Sequence, residues 1–91
     1  MILHLINKAP SHSAWQDMQN AITEHGSIVL MDDAVYALRD INALALDAKT
    51  LYAIDDDIKL RGLSATEGIN VISMAELVAL TLTAQHCLSW F

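Results

Sequence analysis

The sequence has a single cysteine, Cys87, so no internal disulfide can form, and no Cys/His spacing matches a zinc ligand set. Basic side chains are scarce: 5 Lys plus Arg stand against 11 Asp plus Glu, for a net charge of −6 and a pI near 4.8. Affinity for nucleic acid comes largely from counterions that Lys and Arg displace from phosphates, so direct binding of tRNA or DNA is disfavoured. There is no run of about 18 apolar residues, and no basic leader ahead of an apolar core and a small-residue cleavage site. The expectation is a cytoplasmic protein that neither spans a membrane nor is exported. Repeats, linkers and low-complexity segments are missing as well.

What is present is apolar. Of 91 residues, 54% are hydrophobic, and the mean hydropathy is +0.34 for a 10.0 kDa chain. Residues 1–91 are expected to form one domain with a radius of gyration of roughly 12 Å. A chain this small hides only about 60–65% of its extended surface on folding. So much apolar content in so small a domain implies buried subunit contacts.

Four short apolar runs lack helical periodicity: residues 2–6, 27–31, 50–54 and 70–73. Such runs are expected of strands covered on both faces. The intervals of about 20, 18 and 15 residues are too long for hairpins and suit helical crossovers between parallel neighbours. The predicted fold is an α/β, three-layer α/β/α sandwich with a mostly parallel sheet of four or five strands, Rossmann-like in type.

The helix signals fall in those intervals. Ser13-Ala-Trp-Gln16 has the form of a capping box opening a helix with Trp15, Met18 and Ile22 on one face, and Gly26 offers a stop. Asp32 and Asp33 can cap Ala34–Arg39, and Asp55, Asp56 and Asp57 can cap a short helix ending near Gly62. Ser73-Met-Ala-Glu76 is a second capping box, for a helix lined by Met74, Leu77, Val78 and Thr81 that ends near Gln85. Between Arg39 and Lys49, Ile41, Leu44 and Leu46 either continue the second helix or start another. From Leu77 to Phe91 there is no Asp, Glu, Lys or Arg, so the tail either packs back, as a short edge strand, or docks on a partner.

A parallel sheet places functional groups at the carboxyl ends of its strands. The loop after the first strand, Asn7-Lys8-Ala9-Pro10, has no glycine to bring backbone amides to a phosphate, and the next two loops carry carboxylates. Nucleotide binding is therefore disfavoured. Asp32, Asp33, Asp55, Asp56 and Asp57 could converge on Mg²⁺, but helix capping is the simpler reading. No metal or cofactor is expected. Nucleophilic chemistry would fall to Cys87 with His86 beside it, yet adjacent residues point different ways. His4 reads as a packed core residue, and His12 and His25 as exposed helix-end residues. Tyr36, Tyr52, Trp15 and Met18 read as core or interface surface.

Taken with these motifs, the chain resembles the DsrH/TusB family almost end to end. The most specific stretch is Leu51-Tyr52-Ala53-Ile54-Asp55-Asp56-Asp57-Ile58-Lys59-Leu60-Arg61-Gly62-Leu63, which is similar to the family's strand, acidic residue and Arg-Gly-Leu pattern. The opening from Leu3 to Pro10, the segment from Ile28 to Ala37, the Leu77–Thr81 helix and the terminal Trp90 support it. The resemblance implies a DsrEFH-like fold and a place beside TusC-like and TusD-like subunits. That assembly takes persulfide sulfur from a TusA-like carrier and passes it, through a TusE-like partner, toward 2-thiouridine at the tRNA wobble position. A DsrEFH-type role in dissimilatory sulfur oxidation is the related alternative. In the family the main sulfur-bearing cysteine belongs to the TusD/DsrE subunit. Some DsrH-type chains carry a thiol near the first helix, where this chain has His12, Ser13 and Ala14.

Persulfide relay needs a nucleophilic thiolate in an accessible, electropositive setting, which Cys87 does not offer in this sequence. The chain is therefore read as a structural subunit of a sulfurtransferase complex with no catalytic residue of its own, Cys87 as sulfur carrier being the alternative. A self-associating binding domain is a third reading, and the isolated chain is expected to be able to form homo-oligomers. Tyr36, Tyr52, Arg61 and Trp90 are the expected interface residues, chosen for large or forked side chains. Against that stands the reading of Tyr52 and Trp90 as core and of Arg61 as a solvated helix-end cation.

Overall fold

The apolar runs become strands; the central ones are covered on both sides as expected, whereas the run at 69–72 lies at a sheet edge and leaves Asn70 and Val71 exposed. A computed structural model of the chain describes residues 1–22, 26–40 and 50–91. His25 and the stretch with Ile41, Leu44 and Leu46 lie outside the described residues. The strands are β1 (Ile2–Ile6), β2 (Gly26–Leu30), β3 (Thr50–Ile54), β4 (Ile69–Ile72) and β5 (His86–Trp90). They form one sheet in the order β4-β3-β2-β1-β5, and every pairing is parallel. Central β2 is buried at all five positions. The radius of gyration is 11.8 Å.

Alternation along the strands sorts the core into two layers. On one face Ile6, Ile28, Leu30 and Ala53 pack with Trp15 and Met18 of helix α1 (Ser13–Ala21), with Val35 and Leu38 of a 3-10 helix (Asp32–Arg39), and with Ile58 of α2 (Asp55–Leu60). On the other, Leu3, Val29, Ile54 and Ile72 pack with Leu77 of α3 (Met74–Thr83). Three layers result, as the sequence predicts.

Several boundaries differ from the sequence expectation, each for a local reason. Gly26 does not stop α1 but begins β2, which runs 26–30 rather than 27–31. The first helix is capped by His12, whose Nδ1 accepts the Ala14 amide at 3.0 Å, in place of a Ser13–Gln16 box. The imidazole supplies the acceptor that a cap requires. The carboxylates do not cap either of the next two helices: their N-cap positions are Met31 and Ile54, with no side-chain cap bond. Asp32, Asp33, Asp55, Asp56 and Asp57 still lie in first turns, where they complement the helix dipole. At α3 the capping box forms as predicted, Ser73 Oγ accepting the Glu76 amide at 3.1 Å and Glu76 Oε1 accepting the Ser73 amide at 3.0 Å. That box takes Ser73 out of β4, and α3 stops at Thr83, ahead of Gln85.

The uncharged tail folds back as β5, a parallel edge strand on β1 in continuous register from Ile2↔His86 to Ile6↔Trp90. To reach that edge the chain leaves β4 at the opposite edge and crosses β3, β2 and β1, with α3 on the way. The order therefore reverses between β1 and β5, which makes their carboxyl ends the topological switch point of the sheet.

Candidate functional site

Two groups of side chains gather at the carboxyl ends of the strands. The first forms where the 3-10 helix follows β2 and α2 follows β3. Arg61, at the C-cap of α2, donates from Nε and Nη2 to Asp33 Oδ1 at 3.2 and 3.0 Å. Its Nη1 donates to the Asp57 carbonyl at 3.3 Å and lies 3.7 Å from Asp57 Oδ1. Asp57 Oδ2 in turn accepts the Asp32 amide at 2.9 Å. The Arg61 side chain is only 15% exposed. The hydrogen bond to Asp33, then the nearby charges of Asp33 and Asp57, raise its pKa further above its ordinary value. Arg61 is thus a buried-side tie between two helices, not the solvated cation that its helix-end position suggests.

Backbone geometry explains why this chain can make that tie. Gly62 has φ +64, and the amides of Gly62 and Leu63 donate to the carbonyls of Lys59 and Ile58 at 3.1 and 3.0 Å. These are the two bonds of a Schellman motif. Leu63 packs against the same core cluster as Ile58, the hydrophobic contact that accompanies the motif. The Arg-Gly-Leu pattern is therefore a helix stop that leaves the guanidinium facing the 3-10 helix. Asp32 sits at φ +47, in the left-handed region that costs a non-glycine residue roughly 1 kcal/mol. Its amide, aimed at Asp57, is what that conformation provides.

Tyr36 completes the patch. The Arg39 guanidinium carbon lies 4.6 Å from the centroid of its ring and that of Arg61 5.8 Å away. The ring is half-buried, so part of it faces outward between charged neighbours. Large aromatic and arginine side chains of this kind carry much of the energy in protein interfaces.

The second group lies at the switch point. Trp90 of β5 donates its indole N–H to Nδ1 of His4 at 3.1 Å, the rings stacked with centroids 6.2 Å apart. His4 is buried, and burial pushes its pKa below the ordinary imidazole value. Just past β1, Asn7 Oδ1 is buried with no hydrogen-bond partner among the described residues. The Lys8 carbonyl next to it accepts from Trp15 Nε1 at 2.6 Å, tying the loop to α1.

The four residues expected at an interface do not form one surface. Tyr36 and Arg61 come together, but Tyr52 and Trp90 lie on opposite faces of the sheet, each packed against its own layer of the core. Tyr52 also lines a cavity of about 380 Å³ with Ile72, Glu76, Ala79, Leu80 and Thr83. Sequence reasoning missed Arg39 as a partner of the Tyr36 ring, and it missed the His4–Trp90 pair. The i, i+3 spacing of Tyr36 and Arg39 on a helix could have flagged the first. No local signal marks the second.

Cys87 is exposed on β5. Successive strand residues face opposite sides, so His86 is directed to the other face and is not placed to act as its base. Among the described residues no group of three or more His, Cys, Asp or Glu is arranged to hold a metal ion. Among them, too, no helix is long and apolar enough to cross a membrane.

A family profile described as DsrH like protein matches residues 8–87. Among solved structures the chain is similar to the ychN protein from E. coli, with a TM-score of 0.68, 19% identity and 97% of each chain covered. It is also similar to protein Tm0979 from Thermotoga maritima, with a TM-score of 0.67, 25% identity, and 90% of this chain and 92% of that one covered. No curated protein matches the sequence.

Proposed function

The chain belongs to the DsrH-like family, and from that premise we propose that it is a subunit without chemistry of its own in a TusBCD- or DsrEFH-like sulfurtransferase assembly. The family supports a sulfur-relay role in general. In our reading the sulfur is destined for 2-thiolation of the tRNA wobble uridine. The chain meets TusC-like and TusD-like subunits directly, and TusA-like and TusE-like carriers only through them. It touches no RNA itself, consistent with its charge of −6.

The observation that carries this reading is the placement of the sole thiol. A relay cysteine needs a cationic or basic neighbour to hold it as thiolate. Cys87 lies on an exposed edge strand, and the one imidazole adjacent to it in sequence belongs to the opposite face of the sheet. The organised chemistry is elsewhere, in the Arg61, Asp33 and Tyr36 patch, and it is chemistry of recognition. A forked guanidinium and a partly exposed ring suit contact with a protein surface.

Co-expression with TusC-like and TusD-like subunits tests the assignment. A stable heteromer on gel filtration, containing this chain in fixed proportion, is expected. Recovery of free subunits only would contradict it.

A further inference from the structure

The geometry points to β5 as the strand through which two copies of this chain pair, edge to edge and antiparallel about a two-fold axis at Leu88, doubling the five-stranded sheet.

β5 ends the sheet, and its residues run exposed from His86 to Ser89. Along its outer side, alternate backbone N–H and C=O groups have no neighbouring strand among the described residues. Such an edge is a template for another strand, and proteins that stay monomeric blunt it with charge, proline or a bulge. None of these is present. The register with β1 is unbroken over five residues, the strand has no proline, and Leu77 to Phe91 contains no Asp, Glu, Lys or Arg.

Charge identifies the occupant as a second copy. At −6 the molecule repels its own kind, so copies can meet only where carboxylates are sparse. Asp32, Asp33, Asp55, Asp56 and Asp57 lie in the first turns of the 3-10 helix and α2, toward the β3 and β4 half of the sheet, and Glu67 lies two residues before β4. Around β5 the flanking helices α1 and α3 contribute only Asp17 and Glu76. The strand is also self-complementary. Full overlap of His86–Trp90 with itself sets Leu88 opposite Leu88, Cys87 opposite Ser89 and His86 opposite Trp90, an isologous contact that opposes no like charges. It would cover Leu88, now 43% exposed, and Phe91, 62% exposed, directly follows the strand. This pairing concerns the chain alone and does not depend on the relay assignment.

Sedimentation velocity on the full chain at neutral pH tests it, with circular dichroism confirming that each variant is folded. The wild-type protein is expected to sediment as a dimer. Leu88→Glu and Leu88→Lys are each expected to sediment as monomers, and an equimolar mixture of the two as a dimer again. Val71→Glu, on the opposite edge strand, is expected to leave the dimer intact. A second variant covers a failure of the charged chains to fold: Cys87→Ser combined with Leu88→Cys should crosslink under mild oxidation into a disulfide dimer. A monomeric wild-type chain, a Leu88→Glu dimer, a mixture that stays monomeric or a double variant that does not crosslink would overturn the pairing. None of those results bears on heteromer formation with TusC-like and TusD-like subunits.

Discussion

The indole N–H of Trp90 donates to Nδ1 of His4 at 3.1 Å, linking residues 86 positions apart and fastening the last strand to the first. The bond requires a neutral imidazole with Nδ1 unprotonated, because both nitrogens of the imidazolium are donors. Burial favours that same neutral form.

A pH dependence of stability follows. His4 has a folded pKa below the ordinary 6.5, so below that value the unfolded chain binds the proton more readily than the fold does. The contribution is complete above about pH 6.5. It declines as the pH falls from there toward the lowered folded value, and is constant below it. Urea midpoints of the wild-type chain should fall over that window, and the difference between wild type and His4→Gln should shrink in the same window. Parallel curves for the two proteins would contradict the assignment.

Trp90 is fixed twice, by this hydrogen bond and by packing against the core. Trp90→Ala should therefore destabilise the isolated chain, by about 2 kcal/mol for a half-buried indole. Tyr36→Ala should weaken assembly with TusC-like and TusD-like subunits while changing chain stability by less than about 1 kcal/mol. Chemical denaturation and gel filtration of the same two variants separate the roles.

The tie between helices can be measured as a coupling. In a double-mutant cycle, Arg61→Ala and Asp33→Asn should show an interaction of about 0.5–1 kcal/mol, modest because Asp33 is 60% exposed and screened by solvent. Arg61→Lys should recover little of it, since the bond to Asp33 uses two nitrogens of the fork at once.

Asp32 tests the strained turn. Asp32→Gly relieves the φ of +47 and should be neutral or raise stability by up to about 1 kcal/mol, because the amide that Asp57 accepts is retained. Asp32→Ile should cost about 1–2 kcal/mol, since a β-branched side chain resists this region. Thermal melts of both variants decide between strain and an ordinary turn.

How much of this is legible before the fold is known depends on the range of the interaction. β1 to β3 are readable because strands covered on both faces are apolar throughout, β4 because its run is apolar although it lies at an edge, and the Ser73–Glu76 box because its partners are three residues apart. The body of β5 is harder: His-Cys-Leu-Ser-Trp is an edge sequence with little apolar signal, and only its lack of charge hints that it packs back. The carboxylates mislead because Asp33 pairs with Arg61, 28 residues away in sequence, and Asp57 accepts the Asp32 amide of the neighbouring helix rather than an amide of its own. The His4–Trp90 bond is invisible locally for the same reason.

The central claim is that this chain contributes contacts and not a sulfur-carrying thiol. The direct measurement is intact mass of the chain, alone and within its assembly, after incubation with a persulfide-loaded carrier and then an acceptor. The account predicts that no sulfur atom is added to Cys87 while sulfur still reaches the acceptor through the assembly. A persulfide on Cys87 that forms in proportion to the donor and is discharged to the acceptor would contradict it.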